Sequence, residues 1–112
     1  MNTIENHGLS QNELATMLKI LAPFSERIDS VGVFGSRATG QFTDISDIDL
    51  VLYGSLSPQE TARLNTLFDE SNLGLRVEIK SYSEIKFPPL IRHIDSCVKT
   101  LFTKEQLSSS KG

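Results

Sequence analysis

The stretch that most constrains this chain reads Gly35-Ser36-Arg37-Ala38-Thr39-Gly40-Gln41-Phe42-Thr43-Asp44-Ile45-Ser46-Asp47-Ile48-Asp49-Leu50. A Gly-Ser turn stands ten residues ahead of an Asp-x-Asp pair. Such a turn can offer backbone N–H groups and a hydroxyl to a phosphate, and the two carboxylates can hold the cation that travels with it. Alone, a Gly-Ser pair marks an ordinary turn, and an Asp-x-Asp entering a strand is a solvated edge. In this order and separation, between two strand-like segments, they point to a phosphate and cation site.

The flanking sequence supplies those strands. Ser30–Phe34 reads as a strand that ends at Gly35, and Ile48–Tyr53 as a second. Upstream, Ser10-Gln11-Asn12-Glu13 has capping-box spacing, with Leu14, Met17, Leu18 and Leu21 at helical intervals, so a helix is expected over about 10–22. Ser57-Pro58-Gln59-Glu60 opens another helix, running to about Glu70 with Leu64, Leu67 and Phe68 as its stripe. Leu75–Lys80 alternates as a third strand. Pro88-Pro89 precedes an amphipathic segment carrying Leu90, Ile91, Ile94 and Val98. Residues 1–103 are expected to form one domain and 104–112, ending in Ser108-Ser109-Ser110-Lys111-Gly112, a flexible C-terminal tail. This order implies an α+β protein, a small mixed β-sheet with helices packed on one face in two layers.

Strand alternation says where the charges go. Ile48, Leu50 and Leu52 point one way, and Asp47, Asp49 and Val51 the other. In the third strand Leu75, Val77 and Ile79 oppose Arg76, Glu78 and Lys80. With the apolar sets under helices, the carboxylates are left on the open face, and Glu78 stands beside Asp47 and Asp49 if the strands are neighbours. Three carboxylates on one face repel, and a divalent ion removes the conflict. Oxygen ligands without His or Cys suit Mg²⁺ or Mn²⁺ rather than Zn²⁺, and Mg²⁺ completes its shell with water and substrate phosphates. Gly35 lets backbone approach a phosphate, Ser36 donates to it, and Arg37 adds charge. Asp44 is read as a turn residue. His7 and His93 have no partner pattern, Lys80 and Lys86 are solvated by default, and Cys97 is a small helical residue rather than a nucleophile.

Composition bounds the rest. At 112 residues there is room for one core but not for a separate substrate-recognition domain. Residues 1–53 carry 7 acids and 3 bases, and 54–112 carry 7 acids and 8 bases. Neither half is a basic patch, so strong nucleic-acid binding is not expected. No apolar run approaches the ~20 residues of a membrane span, and no basic-then-apolar leader opens the chain. With its single cysteine the chain is read as cytoplasmic.

The Gly35-Ser36…Asp47-x-Asp49 pattern resembles the signature of the nucleotidyltransferase superfamily that includes DNA polymerase beta, and within it the minimal nucleotidyltransferases. The resemblance covers about residues 12–102. It implies that Gly35 and Ser36 bind the β- and γ-phosphates of a nucleoside triphosphate. It further implies that Asp47 and Asp49 hold two Mg²⁺ ions, with Glu78 where the family's third acid falls. The family usually has aspartate there; the extra methylene displaces the carboxylate by roughly 1.5 Å, and misplacement on that scale costs about 10²-fold in rate.

The implied reaction is attack of an acceptor hydroxyl on the α-phosphate, pyrophosphate leaving, with Glu78 as ligand and general base. Many relatives of this size are similar to antitoxins paired with an all-helical HEPN-type protein, and some transfer AMP from ATP to a tyrosine of that partner. The expected function is therefore Mg-dependent transfer of a nucleoside monophosphate to a partner protein. Two alternatives are transfer to a small hydroxyl compound and a non-catalytic nucleotide-binding interaction module.

Overall fold

The computed structural model describes residues 8–43 and 45–111; His7 and Asp44 lie outside them. The first helix, α1 (Gln11–Leu21), starts where its capping box requires: the Ser10 hydroxyl accepts from the Glu13 N–H while the Glu13 carboxylate accepts from the Ser10 N–H. Pro23 then turns the chain into a 3-10 segment, Ala22–Arg27. Strand β1 (Ile28–Phe34) runs to Gly35, and a single helical turn, α2 (Ser36–Thr39), follows. After the loop come β2 (Ile48–Gly54), α3 (Pro58–Asp69) behind its own Ser57/Glu60 capping box, β3 (Val77–Ser81) and α4 (Pro88–Cys97).

The sheet has the order β3-β2-β1, with a fourth strand, β4 (Lys99–Thr103), beyond β1. The β1–β2 and β1–β4 pairs are antiparallel, while β2 and β3 are parallel and joined through α3, the connection a parallel pair needs. The expected α+β architecture is present, and alternation sorts its faces as anticipated. Ile48, Leu50, Leu52, Val77, Ile79, Val31 and Val33 pack with Met17 and Leu21 of α1 and Leu64 and Phe68 of α3 in one buried cluster.

Three features depart from the sequence reading. Residues 104–111 are not a flexible tail but a helix, α5 (Lys104–Lys111), whose Leu107 is fully buried in the main cluster. Its anchoring is physical: the Lys104 ammonium donates to the Ser25 and Ile28 carbonyls at 3.0 and 3.3 Å, and Thr103 and Gln106 form a reciprocal cap. Second, β4 was not anticipated; Val98 ends α4 rather than extending its stripe, and the chain turns back along β1. Third, the carboxylate face is open only in part. Apolar Phe34 and Val51 on that face are covered by Ile94 of α4, with Tyr53, Leu90 and Val98 around them. Gly32, without a Cβ, leaves the space that the Val98 side chain fills. Among the described residues no helix is long and apolar enough to cross a membrane.

Candidate functional site: a carboxylate face beside a glycine turn

The end of β1 and the start of β2 meet at the site. Phe34 pairs with Asp49, so Gly35 arrives directly beside the Asp49 side chain. Gly35 has φ 74° and ψ −149°, a backbone region essentially reserved for glycine. A Cβ there would also lie 2.7 Å from Asp49 Oδ2. The conformation demands glycine, and a side chain there would in addition push the Asp49 carboxylate aside. The Gly35 carbonyl accepts from the Ala38 and Thr39 N–H groups at 3.0 and 3.1 Å, which winds α2 and puts half-buried Ser36 at its first position.

Asp47 and Glu78 come to the same place by different routes. The Ile48 N–H donates to the Arg76 carbonyl at 2.8 Å, starting the parallel pairing just after exposed Asp47. Asp49 then lies directly across from Glu78 in the ladder, and Val51 across from Lys80. The expected neighbourhood of Asp47, Asp49 and Glu78 is therefore realised at backbone level. Electrostatics agree. Burial first, then the charges of Glu78 and Asp47, raise the Asp49 carboxyl above its usual range, while Lys80 and His93 pull it back. Among the described residues, however, no three acidic, His or Cys side chains close around a common point. Glu78 turns instead to Lys80, with Oε2 3.2 Å from Nζ.

Arg37 does something other than expected. It is 1% exposed, so it is not held out toward a phosphate. Its Nη2 donates to the Ser46 carbonyl at 3.1 Å and to the Thr43 carbonyl at 3.4 Å, and its guanidinium lies 5.1 Å from the centre of the Phe42 ring. Thr43 and Ser46 close the same loop, the Thr43 N–H donating to Ser46 Oγ at 2.8 Å. Arg37 thus ties the Thr43 and Ser46 carbonyls together just ahead of Asp47, and is buried there rather than held out on the face.

Two residues of the site's surroundings were not singled out from sequence. Asn65 of α3 brackets the backbone of Ile79, accepting from its N–H at 3.0 Å and donating to its carbonyl at 3.2 Å. That clamp holds the edge strand one residue beyond Glu78. An Asn in a helix interior, where it is a poor helix former, was the available signal. His93 of α4 sits edge-on to Phe34, with centroids 6.2 Å apart, close enough for its charge to reach Asp49. Lys86 lines a cleft with Ile85, Phe87 and Leu90 that also reaches Lys80. A larger cleft, about 630 Å³, follows the outer edge of β3 and reaches Arg76, Glu78 and Lys80.

The donor chemistry fits a hard divalent ion. The donors are all oxygen, and a cation would offset both the burial of the Asp49 carboxylate, the larger cause of its raised titration, and the repulsion from Glu78 and Asp47.

With this geometry established, the chain is assigned by family. It belongs to the polymerase beta nucleotidyltransferases: the family described as "Polymerase beta, Nucleotidyltransferase" matches residues 16–107. It is, on that ground, a nucleotidyltransferase. In fold it is similar to a crystal structure of a toxin–antitoxin with AMP-PNP, with TM-score 0.67, 19% identity, and 92% of this chain and 84% of the other covered. It is similar also to the toxin–antitoxin MntA–HpeT carrying two Asp-to-Glu substitutions, with TM-score 0.64, 16% identity and coverages of 92% and 84%. A Tyr-to-Ala variant of MntA–HpeT gives TM-score 0.65, 20% identity and coverages of 92% and 83%. Identities this low bear on the fold alone. Among curated proteins none matches the sequence significantly.

Proposed function

We propose that the protein transfers AMP from ATP to a hydroxyl of a partner protein, a small helical HEPN-type chain, as the antitoxin half of a toxin–antitoxin pair in the cytoplasm. The observation that carries this is the seating of Gly35 against Asp49, with Glu78 directly across from Asp49. A phosphate turn and a carboxylate pair share one corner of the sheet, as triphosphate chemistry requires. The similar folds come from toxin–antitoxin structures, one of them with AMP-PNP, which supports an adenine nucleotide and a protein partner.

In this reading Gly35 and Ser36 receive the β- and γ-phosphates, while Asp47, Asp49 and Glu78 hold Mg²⁺ or Mn²⁺. When bound, such an ion neutralises phosphate charge and polarises the attacked phosphorus. The acceptor oxygen forms a bond to the α-phosphorus as the bond to the bridging oxygen breaks and pyrophosphate leaves. The hydroxyl proton passes to the Glu78 carboxylate, which is exposed and able to return it to solvent. Arg37 keeps the Asp47 loop in place throughout.

One observation favours a second reading, a nucleotide-binding module without transfer: Glu78 is engaged by Lys80. The test separates the two. The protein is incubated with its co-purified partner and labelled ATP, and both chains are weighed intact. One adenylyl group gained by the partner, and reduced about 10²-fold or more in Glu78→Gln, is the expected result. Tight partner binding with no mass change on either chain would leave the non-catalytic module.

A further inference from the structure

Lys80 has no part in the transfer as described, yet it stands on the carboxylate face. Glu78 and Lys80 are two residues apart on one strand and so share a face. The register sets them beside Asp49 and Val51. Nζ and Oε2 are 3.2 Å apart, with 34% of the lysine and 49% of the glutamate side chain exposed. A pair this open to water is weak enough to exchange. Glu78 is the direct ladder partner of Asp49, yet its carboxylate is engaged by the ammonium, and no three acids close around a common point among the described residues. Lysine suits exchange: its ammonium rides on a flexible four-carbon stem and needs no fixed fork geometry.

We propose that Lys80 is an internal counter-ion of the site: it holds Glu78 until a divalent cation arrives, then releases it and turns its ammonium to the accompanying phosphates. This rests on the divalent-cation reading given above. A metal ion and an ammonium repel when they share one carboxylate, so each weakens the other's hold on Glu78. The coupling is reciprocal, and removing Lys80 must favour the metal by as much as the metal disfavours the Lys80–Glu78 pair. The lysine therefore has two opposite effects. It competes with a bare cation and assists a cation that brings a triphosphate.

The full-length chain is titrated by calorimetry with MnCl₂ alone and with Mn²⁺–ATP, using wild type, Lys80→Met, Lys80→Arg and Lys80→Met/Glu78→Gln. Lys80→Met should bind bare Mn²⁺ about two- to fivefold more tightly than wild type, the range that an exposed ion pair commands. It should bind Mn²⁺–ATP about twofold or more weakly, having lost a charge-assisted contact to phosphate. Lys80→Arg should follow wild type on bare Mn²⁺. The gain should vanish when Glu78→Gln is added to Lys80→Met. Bare Mn²⁺ bound equally or less tightly by Lys80→Met than by wild type would overturn the counter-ion role while leaving the cation site intact. No Mn²⁺ binding to wild type, with or without ATP, would overturn the cation reading itself and this proposal with it.

Discussion

The two faces of the sheet are made by the same strands and live under opposite rules. On one, Leu50 and Leu52 are fully buried in the apolar cluster to which α1, α3 and α5 all contribute. On the other, one residue away in each direction, Asp49 is half-buried beside Gly35 while Val51 is sealed, with Phe34, by α4. Period-two alternation lets a seven-residue strand serve both faces without compromise between them. The closed face supplies the stability that lets the other face concentrate like charges. Substitutions on the two faces should therefore separate stability from ligand binding.

The largest effect is expected on the closed face. Leu50→Ala leaves a cavity in the main apolar cluster and should cost about 2–5 kcal/mol, read by urea denaturation, while the carboxylate face keeps its ligands. A loss well below that range would mean the cluster relaxes to fill the space, and that the closed face is less tightly packed than its burial indicates.

Gly35→Ala lies at the seam and should break the separation. Strain at a glycine-only conformation costs about 1–3 kcal/mol, and the new methyl would press on Asp49 Oδ2. Stability and ATP binding should fall together. A variant that binds ATP normally would show that Gly35 serves the turn alone.

The contrast between faces also explains what could be read from sequence. Asp49, Glu78 and the Leu50 set were legible because alternation depends only on local order. Arg37 was not, because its burial depends on tertiary contacts with the Thr43 and Ser46 carbonyls, which nothing in the local sequence pattern announces. Strand β4 was missed because it is a short edge strand with Lys99, Thr100 and Thr103 exposed, so its pattern lacks a clean apolar face. Helix α5 carried a readable signal, the Thr103…Gln106 capping spacing. The serine-rich composition after Leu107 concealed it, and the buried contact of Leu107 comes from tertiary packing.

A smaller effect of opposite sign is expected at Asp49. Its carboxyl titrates above the ordinary 3.8, so folding favours its protonated form. The unfolded chain then binds fewer protons, and stability falls as pH rises from 3.8 through the raised value, with the full cost present at neutral pH. The cost comes first from burying the carboxylate and then from the Glu78 and Asp47 charges beside it. Asp49→Asn should therefore be slightly more stable than wild type at pH 7 by thermal melting, with the advantage gone below about pH 3.8. A destabilised Asp49→Asn at neutral pH would mean that the carboxylate has a structural partner.

The central claim is that the open face is a nucleotide site that works through a cation, and calorimetric titration with ATP in Mg²⁺ and in EDTA tests it most directly. Binding in Mg²⁺ should be about tenfold tighter or more, a difference of roughly 1.4 kcal/mol, and the gap should close in Asp47→Ala/Asp49→Ala, which should still fold. Equal affinity in EDTA and Mg²⁺ for the wild-type chain would contradict the account.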